Sequence, residues 1–242
     1  MTGRLFRSHA QRALRELESG LTSVTELDGL MHGQLRIGVF RSFGNSLLPA
    51  VLAEFYRAHP QVRIAIQQMS LAEMEHGLVN GDLDFAITTY LPATSDRMVS
   101  EELFTEPLVL AVGRQHELHG HGPVRLEALK DMPLILRAAG TPSRNLVERC
   151  FAARGLTPRV VMEMGNGEAT LATIRCSTLA TICAGRALDG VPGIARVRID
   201  APELRRSGAI LWHRDRHRSA AAVILAQMAK RAYAQGGAGE ST

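Results

Sequence analysis

Three short apolar runs alternate with two helical patterns between Gly33 and Thr89. The runs have strand length and are rich in β-branched residues, whereas apolar residues between them recur three or four positions apart. This strand, helix, strand, helix, strand order predicts a parallel sheet with right-handed crossovers. Ligands of such sheets bind beyond the carboxyl ends of the strands, so the turns after the runs are candidate sites. The three predicted strands are Leu35–Val39, Val62–Ile66 and Leu83–Ile87.

A second set of alternating elements follows, which predicts an α/β chain with two αβ sets. It begins with a helical turn at Leu126–Leu129, and a Gly-rich tail from residue 236 onward is predicted to be disordered. Predicted helices are Pro142–Arg154, Glu168–Arg175 and Ser219–Tyr233. Predicted strands are Leu108–Val112, Leu134–Leu136, Arg159–Met164, Leu179–Cys183, Ile194–Ile199 and Ala209–His213.

Residues 1–32 carry one long helical pattern with a narrow apolar stripe. Such a stripe is close to a coiled-coil seam and predicts a partner helix, most simply that of a second copy. The alternative is a helix that folds back on its own domain. The stripe consists of Phe6, Ala10, Leu14, Leu17, Leu21, Val24, Leu27 and Met31.

Composition predicts a soluble cytoplasmic protein without a membrane-spanning segment. Met1 is not followed by an apolar signal-peptide region, and no apolar run has membrane-spanning length. The odd number of cysteines, Cys150, Cys176 and Cys183, lacks C-x-x-C spacing and indicates reduced thiols. Their positions in or beside apolar runs predict that all three are buried.

The charge balance does not indicate a nucleic-acid-binding surface. The net charge is only +4, from 28 basic and 24 acidic residues spread along the chain. Three arginines favour a small anion instead, and the basic cluster near the last strand is interpreted as a solvated face. The first group is Arg41, Arg137 and Arg144, and the second is Arg205, Arg206, Arg214, Arg216 and Arg218.

The turn after the first predicted strand carries polar side chains at the start of a helix. Hydroxyl and amide groups there lie beside the free N–H groups of the first helical turn, which is a suitable arrangement for an anion or a polar ligand. Helix capping alone is the alternative interpretation. The candidate contacts in this turn are Arg41, Ser42, Phe43, Asn45 and Ser46.

Two further turns supply candidate contacts. Ser70 and Glu73 form an S-x-x-E capping box, which is a structural role that does not exclude a ligand at the same helix start. Met69 precedes this helix, and Thr88 and Thr89 directly follow the third predicted strand.

Several patterns that suggest chemistry have simpler explanations. His116, His119 and His121 lie among glycines and a proline, so an exposed flexible loop is favoured over a metal site. Gly165-x-Gly167 lacks a third glycine and is interpreted as a turn. The paired acids Asp82 and Asp84 precede a strand and are interpreted as its entry. These motifs therefore predict no catalytic residue, no metal and no cofactor.

The combination of five segments resembles LysR-type transcriptional regulators, over residues 2 to about 233. These segments are Thr2–Phe6, Gly33–Gly38, Leu47–Pro49, Phe55–Pro60 and Gly81–Ile87. Within the family, Gln68–Ser70 and Arg175–Thr181 look most like the regulators of cyanate-utilisation operons. Ser177–Ala180 departs from the glycine-rich turn that many members carry, which affects the expected shape of the pocket wall in the second subdomain.

The resemblance implies a linker helix followed by an effector-binding domain. The winged helix-turn-helix that begins family members is missing, so operator DNA would be bound only through that missing domain, and the chain as given would sense and self-associate. The effector domain would comprise two periplasmic-binding-protein-like subdomains joined by two crossover strands. The implied limits are residues 1–32 for the linker, 33–104 plus 210–235 for subdomain I, 105–209 for subdomain II and 236–242 for the tail.

The resemblance also implies where ligand and partner bind. A small-molecule effector, expected to be anionic, would lie between the subdomains and alter the spacing of helices in a dimer or tetramer. Its contacts from the second subdomain would be Arg137, Thr141 and Asn166, in addition to the turns of the first. The dimerisation contacts would be Leu14, Leu17, Leu21, Val24, Leu27, Leu48 and Leu52.

Two other classes of protein share the expected fold. A solute-binding protein would need an export signal and would not carry the stripe at residues 1–32. A transferase with a cofactor-bearing cysteine would need an exposed thiol, and no hydrolase motif such as G-x-S-x-G or H-E-x-x-H occurs. A non-enzymatic sensor is therefore the expected function.

Overall fold

A computed structural model describes residues 6, 10, 14, 17, 20, 33–40, 48–89 and 96–237 of the chain. The chain divides into two compact units. Unit 1 contains the residues up to Phe104 and those from Ser207 onward, whereas unit 2 contains Thr105–Arg206. The second unit is therefore an insertion in the first, and the chain crosses between the units on two strands.

Unit 1 is built on three parallel strands and one antiparallel strand. The strand order is β2-β1-β3-β10, in which β10 runs antiparallel to β3. The parallel order predicted from the alternating pattern is confirmed. The elements are β1 (Gly33–Val39), α1 (Leu48–Ala58), β2 (Val62–Gln68), α2 (Leu71–Asn80), β3 (Phe85–Thr89), β10 (Arg205–His213) and α5 (Ala220–Gly237).

Each face of the unit 1 sheet is covered by helices. Phe55 of α1 and Trp212 of β10 lie in the cluster on one face, and Met74 and Leu78 of α2 lie in the cluster on the other. Gly38 permits the close approach of α2, because a Cβ atom there would lie 2.9 Å from Leu83 and 3.2 Å from Met74.

The third strand begins two residues later than the sequence predicts. The backbone N–H groups of Asp82 and Leu83 both donate to the carbonyl of Gly77, so these residues complete the end of α2. Gly81, with φ of 74°, makes the left-handed turn that this ending requires. Leu83 is therefore a buried turn residue, and the strand starts at Phe85.

Unit 2 has a mixed sheet. Strands β6, β7 and β8 are parallel to one another, whereas β4 pairs antiparallel with β8 and β9. The elements of this part of the chain are β4 (Met98–Gly113), β5 (Val124–Arg125), β6 (Leu134–Leu136), α3 (Pro142–Ala152), β7 (Val160–Glu163), α4 (Gly167–Arg175), β8 (Ala180–Ala184) and β9 (Ile194–Asp200), with short 3-10 helices at Leu126–Leu129 and Gly185–Leu188.

Strand β4 is much longer than the predicted Leu108–Val112. It contains 16 residues, and its first half lies in unit 1. That half contains Ser100, Glu101 and Glu102, so it shows no continuous apolar run. At the other end of the chain, α5 reaches Gly237, two residues into the segment predicted to be a disordered tail.

Candidate functional site

The carboxyl ends of β1, β2 and β3 meet at one edge of unit 1. The N–H of Met69 donates to the carbonyl of Val39 at 3.2 Å, and the N–H of Phe40 donates to the carbonyl of Ile87 at 2.8 Å. Met69, Ser70, Thr88 and Thr89 consequently lie along the same edge, because parallel strands end together. Arg41, Ser42, Phe43, Asn45 and Ser46 lie outside the described residues.

Ser70 is the N-cap of α2, and the predicted capping box is confirmed. Its hydroxyl donates to the Glu73 carboxylate at 2.7 Å and accepts from the Glu73 N–H at 3.4 Å, while the N–H of Ser70 donates to the same carboxylate at 2.7 Å. The hydrogen bonds from the Ser70 side chain and backbone lower the pKa of Glu73. The start of α2 therefore already holds a negative charge, which disfavours a second anion there.

The two threonines at the end of β3 differ sharply. Thr88 is 2 % exposed, and its Oγ1 is buried without a hydrogen-bond partner. It lies on the same sheet face as Ala86, since the two residues are two positions apart in one strand. Thr89 lies on the opposite face and is half-buried.

In unit 2, the carboxyl ends of β6 and β7 bring together the starts of α3 and α4. The N–H of Met164 donates to the carbonyl of Leu136 at 2.9 Å, and the Nη1 of Arg137 donates to the carbonyl of Gly165. Asn166 caps α4 by accepting from the N–H of Ala169 at 3.2 Å. The structure therefore brings Arg137 close to the N-cap residue Asn166 at this edge of unit 2.

The start of α3 has a different electrostatic character from that of α2. Its N-cap, Thr141, makes no side-chain cap bond, because its hydroxyl donates to the carbonyl of Ala138 at 2.8 Å. Its first turn contains no acidic residue, whereas α4 carries Glu168 in its first turn. The positive end of the α3 dipole and the nearby Arg137 therefore suit an anionic group.

Arg144 is a structural residue rather than an open anion contact. Its side chain is 9 % exposed and contacts Glu148 at 2.7 Å and Glu163 at 3.4 Å, and its Nη1 donates to the carbonyl of Arg137 at 3.1 Å. Its charge is thus balanced by carboxylates, and it fixes the backbone at Arg137. The sequence interpretation of Arg144 as an anion-favouring residue is wrong for this reason.

The predicted dimerisation residues fall into three groups. Leu14 and Leu17 are helical and expose 60 % and 66 % of their surface, while Leu48 is 5 % exposed in the core of unit 1 and Leu52 packs against that core. The core of one chain already accounts for the burial of Leu48. Leu21, Val24 and Leu27 lie outside the described residues, and all these partner contacts stay predictions.

Sequence reasoning missed a buried group of charges in unit 2. The carboxylate of Glu106 contacts Arg206, with an Nη2–Oε1 distance of 2.5 Å, and Arg186, with an Nε–Oε2 distance of 3.6 Å. The side chains of Glu106, Arg186 and Arg206 are only 5 %, 8 % and 13 % exposed. Arg206 therefore does not belong to a solvated face. No local pattern could identify this pair, because its members are 100 residues apart.

Arg218 is a second exception to the predicted solvated face. Its guanidinium lies 4.4 Å from the centroid of the Trp212 ring and contacts Glu101 at 2.5 Å, in unit 1. This contact joins the segment before α5 to β4 and β10. Arg206 and Arg218 of the predicted basic cluster thus contact side chains within the units instead of forming a solvated face.

The histidine-rich loop is exposed at His119 and His121, as predicted, but His116 differs. His116 is buried, and its Nδ1 accepts from the N–H of Leu118 at 3.0 Å. Burial lowers the pKa of His116, against a smaller opposing effect of Glu117. Within the described ranges, no group of three or more histidine, cysteine or acidic residues is arranged to hold a metal ion.

The three thiols do not resemble an activated nucleophile. Burial raises the pKa of Cys183 to about 12, and burial also raises that of Cys150. Cys176 is exposed at the end of α4, which corrects the prediction that all three cysteines are buried. A high pKa leaves a thiol protonated and poorly nucleophilic, so neither Cys150 nor Cys183 favours the transferase alternative.

The chain is similar to known transcriptional regulators. It is 32 % identical over 168 residues to the HTH-type transcriptional regulator GalR of Pseudomonas putida, covering 68 % of this chain but only 41 % of GalR. It is 26 % identical over 227 residues to the HTH-type transcriptional activator CmpR of Synechocystis, covering 89 % of this chain and 74 % of CmpR. The chain therefore spans less than half the length of GalR.

A solved structure has the same fold. The effector-binding domain of QuiR in complex with shikimate superposes with a TM-score of 0.70 at 18 % identity, covering 84 % of this chain and 98 % of that domain. The predicted α/β architecture of periplasmic-binding-protein-like subdomains is thereby confirmed. The family model described as "LysR substrate binding domain" matches residues 28–234. The chain belongs to the LysR substrate-binding domain family, the non-enzymatic, effector-binding part of transcriptional regulators.

Proposed function

We propose that this chain senses a small anionic metabolite and thereby modulates transcription. The observation that carries the proposal is the start of α3 in unit 2. The first turn of α3 has no acidic residue and its N-cap side chain makes no cap bond. The backbone carbonyl of Arg137 accepts from Arg144 of α3, and the Arg137 guanidinium donates to the carbonyl of Gly165, just before α4. Helix N–H groups and a neighbouring guanidinium bind carboxylates and similar anions well. QuiR, which has the same fold, is in complex with the carboxylate shikimate.

The anionic group is assigned to unit 2 rather than to the start of α2. In unit 1, the Glu73 carboxylate accepts from both the N–H and the hydroxyl of Ser70. A ligand carboxylate at that helix start would meet a like charge, which is unfavourable. The polar contacts proposed for the described part of unit 1, at Ser70, Thr88 and Thr89, suit a neutral polar group better than an anion. Thr141 and Asn166 complete the proposed contacts in unit 2.

Self-association and DNA binding are further parts of the proposal. Exposed apolar side chains at Phe6, Leu14 and Leu17 support pairing with the corresponding helix of a second copy. Operator DNA would be bound through an N-terminal domain such as the one that gives the relatives their HTH-type names. The structure contains no helix, within its described ranges, that is both long and apolar enough to span a membrane. A cytoplasmic location is proposed from the family.

A charge-removal experiment tests the anion assignment. The full chain is screened by thermal shift against small carboxylates, and the affinity of any stabilising acid is then measured by calorimetry. Binding to the native state raises the melting temperature with ligand concentration. We expect Arg137→Gln to weaken binding of that acid about tenfold or more, since a hydrogen bond to a charged group is worth roughly 1.5–3 kcal/mol.

Arg159→Gln is the matched control. Arg159 also donates to a backbone carbonyl, that of Asp131 at 3.2 Å, but it lies at the amino end of β7 rather than beyond the carboxyl end of β6. This variant removes the same charge without touching the proposed site. Equal loss of affinity in both variants would mean that only net charge matters, and no stabilisation by any carboxylate would overturn the proposal.

A further inference from the structure

We infer that unit 2 has a second anion site, formed by Arg114 and Arg175 at the edge of its sheet opposite the candidate functional site. Its ligand would be a phosphate group, either as inorganic phosphate or as a phosphate monoester. The inference goes beyond the proposed function and does not depend on it. The two arginines lie at the amino end of β8, because β4 is antiparallel to β8 and α4 directly precedes it, whereas the candidate site lies at carboxyl ends.

The close approach of α4 to β4 brings the two arginines together. Gly113 is the last residue of β4 and pairs with Ile194 of β9. A Cβ atom on Gly113 would lie 2.1 Å from the carbonyl oxygen of Ile174 and 3.1 Å from the Cα atom of Arg175. The C-terminus of α4 therefore lies directly against the end of β4, where Arg114 follows.

Gly193, just before β9, lies between the two arginine side chains. A Cβ atom on Gly193 would lie 3.6 Å from Cγ and 3.8 Å from Cδ of Arg175, and 3.9 Å from Nε of Arg114. Both side chains thus pass close to one point, and the φ of 77° at Gly193 is a conformation that favours glycine. A small anion at this point can contact both guanidinium groups.

Neither arginine has a partner that balances its charge within the described part of the chain. Both residues are exposed, and neither side chain makes an ion pair or a hydrogen bond to a described residue. Neighbouring positive charges repel each other, and an anion bound between them removes that repulsion. Other arginines of unit 2 contact carboxylates of the chain itself, namely Arg144, Arg154 and Arg196.

The end of α4 provides an alternative reason for basic residues here, because the C-terminus of a helix carries a partial negative charge. Its last carbonyls already have donors. The carbonyl of Thr173 accepts from the N–H of Cys176 at 3.2 Å and from the hydroxyl of Ser177 at 2.8 Å, and that of Ile174 accepts from the N–H of Ser177 at 3.4 Å. The helix charge thus accounts for Arg175 at most and leaves Arg114 unexplained.

The number of charges and donors favours a phosphate group over a carboxylate. Each guanidinium has several N–H donors in a rigid plane and can contact two oxygens of one anion at once. A phosphate monoester carries about two negative charges near neutral pH and has enough oxygens for two guanidinium groups. A carboxylate has a single charge, which one arginine can satisfy. The second site therefore differs in specificity from the site with Arg137.

The test measures binding of inorganic phosphate and of glycerol 3-phosphate to the full chain by calorimetry, with acetate for comparison. Ionic strength is held constant with sodium chloride, because salt screens exposed charges. We expect saturable binding of at least one phosphate compound, about tenfold tighter than that of acetate. Arg114→Gln and Arg175→Gln should each weaken the binding of phosphate by about tenfold. Binding of the ester alone would identify a monoester as the ligand.

Arg125→Gln is the matched control. Arg125 is also exposed and also makes no side-chain ion pair or hydrogen bond to the residues that the structure describes. It lies opposite Asp200, at the other end of β9 from Gly193. This variant should keep the affinity for phosphate within about twofold, because distant exposed charges are screened. Equal losses in Arg125→Gln and Arg114→Gln would show that only net charge matters, and the inference would be wrong.

A ligand-free measurement shows whether the arginines serve the fold instead. Arg114→Gln and Arg175→Gln should leave the melting temperature unchanged or raise it, because a repulsion is removed. Phosphate should raise the melting temperature of the wild type more than that of either variant. If either variant melts clearly below the wild type or fails to fold, that arginine is structural and the inference is rejected.

Arg137→Gln separates this inference from the proposed function. It should leave the binding of phosphate unchanged. If Arg137→Gln removes phosphate binding while Arg114→Gln keeps it, phosphate binds at the candidate functional site, so the second site is rejected and anion sensing stands. If no carboxylate binds but phosphate binding depends on Arg114 and Arg175, the proposed function fails alone. Absence of saturable binding by both phosphate compounds overturns the inference.

Discussion

The two units bury very different numbers of polar side chains. Apart from the aromatic residues Trp212 and Tyr233, Thr88 is the only buried polar or charged side chain among the described residues of unit 1, whereas unit 2 contains six. Both units combine parallel strands with covering helices, so the architecture alone does not set this difference. Unit 1 is held mainly by apolar packing, and unit 2 also depends on paired buried groups. The six are Glu106, His116, Arg144, Thr170, Thr181 and Arg186.

Strand β4 allows the most direct comparison, because it carries a partly exposed ion-paired acid, Glu101, and a buried one, Glu106. Glu101, in unit 1, contacts Arg218 at 2.5 Å and Lys230 at 2.6 Å, and its side chain is 29 % exposed. Glu106, five residues later in unit 2, also lies between two cations but is 5 % exposed. Burial, rather than the number of partners, is thus the main difference between them.

Replacing Glu106 with alanine should have the largest effect on stability. The free energy of unfolding should fall by about 3–5 kcal/mol, because Arg186 and Arg206 would remain buried without their carboxylate. Urea unfolding followed by circular dichroism measures the loss. Trp212, the only tryptophan, lies in unit 1 and reports that unit separately by fluorescence. The dichroism transition should therefore move to lower urea than the fluorescence transition.

Glu101→Ala is the control for this comparison. A partly exposed ion pair contributes roughly 1 kcal/mol or less, so the loss should be small. Partial burial alone would raise the pKa of Glu101, but hydrogen bonds from Lys230 and Arg218 outweigh it and lower the pKa. The stabilisation is then present at neutral pH and lost as the pH falls through that lowered pKa. Equal losses for Glu101 and Glu106 at neutral pH would contradict the role of burial.

A second comparison concerns two glycines at which elements approach closely. In unit 2, a Cβ atom on Gly113 would lie 2.1 Å from the carbonyl oxygen of Ile174, in the backbone of α4. Gly113→Ala should therefore force α4 away from β4 and lower the free energy of unfolding by about 1–3 kcal/mol. Thermal melting followed by circular dichroism provides the measurement.

Gly208→Ala is the corresponding change in unit 1. Its Cβ atom would meet the ring of Phe104 at 2.3 Å, a side chain that stacks on Tyr233 with a centroid distance of 4.2 Å. A ring can shift more easily than a helix backbone, so the loss should be smaller than for Gly113→Ala. A larger loss for Gly208→Ala would show that the stacked rings are as rigid as the backbone.

Local sequence patterns were sufficient for the framework of unit 1 and for one detail of the site. Apolar periodicity predicted β1, β2 and both intervening helices, since one buried face imposes a fixed spacing on each element. The capping box of Ser70 and Glu73 was predictable because its two residues are three positions apart. Topology then placed Met69 and Thr88 at one edge, because parallel strands end on the same side.

Local patterns cannot predict contacts between residues that are distant in the chain. The ion pair of Arg206 with Glu106 joins residues 100 positions apart, and the hydrogen bond of Thr181 with Ile135 joins residues 46 positions apart. An isolated arginine in a polar segment has the same appearance whether it faces water or a buried acid. For the same reason, the sequence could not show that Thr88 lacks a partner while Thr181 has one.

The smallest expected effect is at the N-termini of α2 and α3, of which only α2 has an acidic residue, Glu73, in its first turn. Ser70→Ala should lower the free energy of unfolding by about 1 kcal/mol, because α2 loses its N-cap hydroxyl. Thr141→Ala should cost less, since the hydroxyl of Thr141 makes no cap bond to α3.

The pKa of Glu73 is lowered in the folded chain by the hydrogen bonds of Ser70. Ionised Glu73 therefore stabilises the fold above its ordinary pKa, and this contribution is lost as the pH falls through the lowered value. The difference between wild type and Ser70→Ala should accordingly narrow in acid, measured by urea unfolding across pH. A difference independent of pH would show that the cap acts without the Glu73 charge.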